Sequence, residues 1–260
     1  MPGERTRVGP LGGWWSDALV ALGFLTGLPV GAGVGAAGGG LATAARAFPL
    51  AGLLVGVLSA LAYALAVNLG LTALLAGGLA VAAGIAVTGA LHEDGLADFA
   101  DGLGARGGPA AKLAAMRDSH LGVFGALALM LGLLLRVVAL AALTEPGVVA
   151  CGLIAAHAGS RALLPWILQR ETPARSDGLA VAAGQPSHGA VVAALVVGFI
   201  VMLLAAGPSR AVVAALLAAA AAWLVALLAR RQIGGVTGDV LGAIEQVAEI
   251  VILLSLVASR

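Results

Sequence analysis

Seven stretches of this chain run for about 18–23 residues with almost no charge: 48–68, 71–91, 121–143, 148–166, 189–207, 211–229 and 240–258. A run of that length and polarity suits one environment. In hydrocarbon, a segment must satisfy every N–H and C=O within itself, which makes it helical. Composition agrees. Over 260 residues the chain is 61% apolar and 10% charged, with mean hydropathy +1.06, whereas soluble domains carry about 25% charged residues. The expected fold is therefore all-α: a polytopic membrane helical bundle of about seven spans, with about six to eight compatible. The chain reads as a single integral-membrane domain, 1–260. A polar tail (1–13) precedes an interfacial or re-entrant helix (14–30), a Gly-rich loop (31–47) and the bundle (48–258).

Several functions are excluded at once. A net charge of +1 without a basic stripe gives no footprint for nucleic acid. The single cysteine, Cys151, lies in an apolar run and rules out an internal disulfide or a Cys-based zinc site. Residues 14–30 lack a small-residue cleavage site after a clean apolar core, so they are not read as a signal peptide. They are short for a span and carry Asp17 near their start, with Trp14 and Trp15 suited to an interface. Seven spans place the N-terminus and the loops 92–120, 167–188 and 230–239 on one side. That side holds Arg5, Arg7, Arg46, Arg106, Lys112, Arg117, Arg170, Arg175, Arg230 and Arg231, and the other only Arg210 and Arg260. The bias assigns the rich side to the cytoplasm. The expected location is a prokaryotic cytoplasmic (inner) membrane, multi-pass, with the lipid bilayer as a partner.

Four of the thirteen acidic residues fall within 92–101, His-Glu-Asp-Gly-Leu-Ala-Asp-Phe-Ala-Asp. Asp94, Asp98 and Asp101 stand at i, i+4 and i+7 and share one helical face, where their charges repel. A cation relieves that repulsion. Mg²⁺ suits carboxylate oxygen and keeps water or substrate phosphate in its remaining positions. Asp118, flanked by Arg117 and Ser119, ends the same loop. It either folds back to complete a one- or two-metal site or, like Ser119, caps the span that follows. His92 stands at the membrane exit beside the acids, as a general base, a phosphate donor or a structural histidine.

A second constellation, 234–239, reads Gly-Gly-Val-Thr-Gly-Asp, with Glu245 and Glu249 about two to three turns into the last span. Thr237 and Asp239 suit an anion-binding turn at a helix N-terminus, or Asp239 simply caps that helix. Carboxylates inside a span are functional by default. Arg161, beside Ser160 in another span, pairs with one of these glutamates or meets substrate phosphate. Arg136 reads as an intramembrane ion pair. The loop 167–188 reads mostly as a solvated connector.

These elements, taken in order, resemble the cobalamin synthase family, the adenosylcobinamide-GDP ribazoletransferases. The resemblance is carried by residues 24–30 (Phe-Leu-Thr-Gly-Leu-Pro-Val), 48–56 (Phe-Pro-Leu-Ala-Gly-Leu-Leu-Val-Gly), 88–102, 116–125 (Met-Arg-Asp-Ser-His-Leu-Gly-Val-Phe-Gly) and 234–243. Glu93 stands where an apolar residue is usual, His120 where a basic one is common, and Val123 where Thr is common. The resemblance implies that the 3′-hydroxyl of α-ribazole, or of its 5′-phosphate, attacks the phosphorus linked to cobinamide in adenosylcobinamide-GDP and releases GMP. It further implies Asp94, Asp98, Asp101 and Asp118 as Mg²⁺ ligands, with Asp94, Asp98 and His92 in the chemistry. Arg117, Ser119, Ser160, Arg161, Thr237, Asp239, Glu245 and Glu249 fall to the substrates. A homo-oligomer or a complex with enzymes of the same pathway is compatible.

Rival readings place aspartates around Mg²⁺-diphosphate too. Asp94-x₃-Asp98-x₂-Asp101 lacks the doubled, separated motif of a prenyltransferase, and Ala97 is followed by Asp98 rather than the Arg of a CDP-alcohol phosphotransferase. A transporter relaying ions through Glu245, Glu249 and Arg161 is the other class. No inverted repeat in the polar positions supports it.

Overall fold

The computed structural model describes residues 10–30 and 40–259. It is an all-α polytopic bundle whose helices are α1 (Pro10–Leu25), α2 (Gly40–Ala44), α3 (Phe48–Asn68), α4 (Ala73–Thr88), α5 (Leu91–Gly104), α6 (Pro109–Ala115), α7 (Val123–Leu143), α8 (Pro146–Arg170), α9 (Leu179–Ala183), α10 (His188–Ala206), α11 (Pro208–Ile233) and α12 (Gly238–Ala258). A 3₁₀ turn, Ala45–Ala47, joins α2 to α3. Among the described residues, six helical segments are long and apolar enough to cross a bilayer, and α4 with α5 makes a seventh if the bent pair is one span.

Two expectations need correcting. Residues 40–47 are helical rather than part of a loop; 31–39 lie outside the described residues. The run 71–91 is not one straight helix. It breaks at Gly89 and Ala90, both in the left-handed region (φ 63° and 60°), and α5 leaves α4 at 91°. Glycine takes that conformation freely, while Ala90 is strained there.

Local chemistry explains the helix starts. Thr72, Ser187 and Thr237 accept from the amides of Leu75, Ala190 and Val240, and Pro opens α8 and α11. Thr237, not Asp239, therefore caps α12. Neither Asp118 nor Ser119 caps α7, whose N-cap position is Gly122.

Small residues set the packing, as membrane helices require. α8 is the most enclosed span. A Cβ on Gly56 would lie 2.8 Å from Ile154 Cα, so α3 rests on α8 backbone to backbone. The buried face of α11 is Ala211, Ala214, Ala218, Ala222, Ala226, Ala229 and Ile233, spaced by three and four. Leucines such as Leu65, Leu204, Leu216 and Leu224 face outward, where lipid solvates them.

The loops after α6, α8 and α11 meet at one end. Arg117 pairs with Asp177 (2.6 Å), Arg230 with Glu171 (3.8 Å), and Ala174 and Thr172 exchange backbone hydrogen bonds with Val236. These are loops expected to share a side. α1 is tied to the turn before α3 through Asp17, whose carboxylate accepts from Arg46 Nε (2.5 Å) beneath Trp14.

Candidate active site

The bend after α4 lays α5 across the start of α12, and two glycines set their separation. A Cβ on Gly95 would sit 2.8 Å from Asp239 O and 3.1 Å from Gly242 Cα; one on Gly242 would sit 3.1 Å from His92 O. No larger residue fits at either position without moving a backbone. This contact brings Asp94 and Asp98 of α5 beside Asp239 of α12. Asp94 is exposed and Asp98 half-buried. Burial pushes the Asp98 carboxyl up to about 6, helped by the charges of Asp94, Asp239 and Asp101 and opposed by Arg175. Arg175 Nη2 lies 3.3 Å from Asp239 Oδ2, which also accepts from Thr237 Oγ1 at 3.1 Å.

The other acids of the motif go elsewhere. Asp101 accepts from the amides of Gly122 (2.7 Å) and Gly125 (2.8 Å), so both its oxygens cap α7 from a neighbouring helix. Asp118 is exposed and accepts from His120 through backbone and ring nitrogens (3.0 and 2.7 Å), which holds its carboxyl below the usual range. Arg117 pairs with Asp177, and Ser119 is exposed nearby.

Beneath the acidic face lies a buried ion network. Arg161 Nη1 donates to Glu245 Oε1 (2.5 Å), which also accepts from Ser160 Oγ (2.7 Å). Arg136 Nη1 donates to Glu93 Oε1 (2.9 Å) and reaches Glu249 Oε1 (3.4 Å). Gln246 Nε2 ties Glu93 to Glu245 at 3.2 and 3.0 Å. His157 Nδ1 stands 3.1 Å from Glu249 Oε2, and His92 Nδ1 stands 3.5 Å from Arg161 Nη2. Arg161 thus takes the glutamate pairing anticipated for it.

Above the network a pocket opens between α1, α3, α5, α8, α9 and α12. Phe24, Phe48, Leu164, Leu168, Leu179 and Leu241 line it, with His92, Asp94 and Asp239 as its only ionisable wall residues among the described residues.

Two groups merit a test as metal sites. Among the described residues, one trio of potential ligands has its atoms within 4.8 Å of one another: His157, Glu245 and Glu249. Arg161 and Arg136 already supply its positive charge, and a divalent ion there would meet two guanidiniums. Asp94, Asp98 and Asp239 fit better. They offer only oxygen, they repel one another, and Asp94 and Asp239 line a pocket, although their oxygens stand farther apart than those of the buried trio.

Sequence reasoning missed Arg175, which was taken for part of a connector, and the partners Gln246 and His157. It also set Glu93 among the surface acids, although one residue from Asp94 means a turn of about 100° on a helix. That offset was the available signal.

The fold and site define a class: a polytopic membrane protein with an acidic cleft at one end of its helices. Relatives sharpen that. Residues 17–257 match the cobalamin-5-phosphate synthase family. The adenosylcobinamide-GDP ribazoletransferase of Bradyrhizobium diazoefficiens is 49% identical over 239 residues, 92% of each chain. Those of Mesorhizobium japonicum and Sinorhizobium medicae are 43% and 40% identical over 92% of this chain and 91% and 95% of theirs. No solved structure matches. The chain belongs to the cobalamin-5-phosphate synthase family, as its motifs foretold.

Proposed function

We propose that this chain is an adenosylcobinamide-GDP ribazoletransferase that uses Mg²⁺, with its site open to the cytoplasm. The carrying observation is that Asp94 and Asp239 line one pocket, with Asp98 close enough to feel both their charges. In this reading the 3′-hydroxyl oxygen of α-ribazole, or of its 5′-phosphate, bonds to the phosphorus linked to cobinamide. The bond from that phosphorus to GMP breaks, and GMP carries off the electron pair.

Asp94, Asp98 and Asp239 would hold the metal, which would supply charge neutralisation for the diphosphate. One of the carboxylates takes the hydroxyl proton, because His92 turns Nδ1 to the Arg161 guanidinium and carries its hydrogen on Nε2. Arg175 and Arg117, at the mouth, meet phosphate. Arg161 instead fixes Glu245, and with Ser160 and Glu249 supports the floor of the site. Asp118 stays outside this set, with its Oδ1 held by His120. The arginine-rich loop end supports the cytoplasmic orientation.

The test is GMP release by detergent-purified protein given adenosylcobinamide-GDP and α-ribazole, with Mg²⁺ or with EDTA. Release that stops in EDTA, together with formation of the joined corrinoid, is expected. Release that persists in EDTA would refute the metal, and no release from folded protein would refute the activity.

A further inference from the structure

We infer that the apolar pocket between α1, α3, α5, α8, α9 and α12 seats the benzimidazole base of α-ribazole, with its ribose held toward Asp94 and Asp239. This rests on the activity proposed above and assigns a subsite to one of the two substrates.

The pocket walls decide between the candidate groups. Half-buried Phe24 stacks on buried Phe48 with centroids 5.9 Å apart and planes at 18°, and both line the pocket. Leu164, Leu168, Leu179, Leu241 and Ala183 complete an aliphatic slot. Guanine is a poor fit, because its amide and amino edge would lose water and meet leucine side chains. The corrin is far larger than the enclosed space of about 70 Å³. That space admits the methyl edge of the benzo ring of 5,6-dimethylbenzimidazole, leaving the rest of the base and the ribose at the opening.

The base has one unsubstituted ring nitrogen, an acceptor. His92 is the pocket residue able to donate to it. Its Nδ1 faces Arg161 (3.5 Å) and Glu245 (3.9 Å), which leaves Nε2 for a ligand. A base seated this way points its ribose at the carboxylates, where the hydroxyl must lose its proton. An acyl chain would fill the slot but make no use of His92 or of the two aspartates.

The experiment narrows the slot from two sides, with Ala183→Leu and Leu164→Phe, each checked for folding by its melting curve. KM is measured for each substrate, and calorimetry follows binding of free 5,6-dimethylbenzimidazole. Filling the slot is expected to raise the KM for α-ribazole about tenfold or more. The KM for adenosylcobinamide-GDP should stay within about twofold, and calorimetric binding should be lost. An unchanged KM for α-ribazole in a folded variant would overturn the assignment, as would a rise confined to adenosylcobinamide-GDP. If the wild type fails to join the two substrates, the proposed activity falls. The pocket is still decided by calorimetry: binding in the wild type that Ala183→Leu abolishes supports it, and no binding overturns it.

Discussion

On the outer face of α5, Asp94 and Asp98 meet Asp239 with Arg175 as the nearest cation and Arg117, itself paired with Asp177, farther off, so the carboxylates outnumber the guanidiniums left to balance them. On the inner face, Glu93 joins Glu245 and Glu249, and there three carboxylates face two guanidiniums and two histidines. The outer group is open to water and unbalanced. The inner group is buried and nearly balanced. Charge that is left uncompensated at a surface is available for a ligand, whereas charge that is compensated in the interior is committed to the fold. Helices α5 and α12 serve both purposes because a helix presents different faces a single residue apart.

The comparison breaks most sharply at Arg161, which is 1% exposed and bound to Glu245. Arg161→Ala leaves that carboxylate buried and unpaired, a loss of about 3–5 kcal/mol. Thermal unfolding in detergent should show a large fall in Tm. Replacing both partners, Arg161→Met with Glu245→Leu, should restore much of it. If the single variant melts like the wild type, the inner group is not structural.

Asp98→Asn tests the outer face in the opposite sense. It keeps shape and removes one repelling charge, so Tm should hold or rise. Transfer activity should fall about 100-fold or more, because stabilisation of the diphosphate is lost. Unfolding in place of inactivation would erase the distinction between the two faces.

The pH dependence sharpens the same point. The Asp98 carboxyl sits at about 6 because burial and three neighbouring acids favour its neutral form. Above that value it is ionised and can bind a metal; below it, a proton competes. The Mg²⁺ concentration giving half activity should therefore rise about fivefold from pH 6 to pH 5. A flat Mg²⁺ requirement across that range would remove Asp98 from the metal.

Much of this was legible in the sequence, for physical reasons. Seven long apolar runs have one solution in a bilayer, and the acids at i, i+4 and i+7 did form one helix. What hid was what periodicity does not encode. The run 71–91 is apolar throughout, so nothing in its hydropathy marks the bend, which depends on two left-handed residues. The pairing of Arg136 with Glu93 spans 43 residues and follows from which helices pack together. Arg175 sits in irregular backbone, where no repeat announces a direction. Asp239 reaches the acids of α5 because Gly95 and Gly242 let two backbones touch.

Asp101 is the place where the two kinds of charge meet on one helix face, and it gives the smallest and most discriminating effect. It shares the face of Asp94 and Asp98, yet its oxygens accept from Gly122 and Gly125 and so anchor α7. Asp101→Ala removes a cap and should lower stability by about 1–2 kcal/mol. Asp101→Asn keeps one acceptor oxygen and should lose less. Both should retain most transfer activity and the wild-type Mg²⁺ requirement when assayed well below their Tm. If Asp101→Asn instead abolishes activity with Tm intact, Asp101 belongs with the outer face, and its capping bonds are exchanged for the metal when substrate binds.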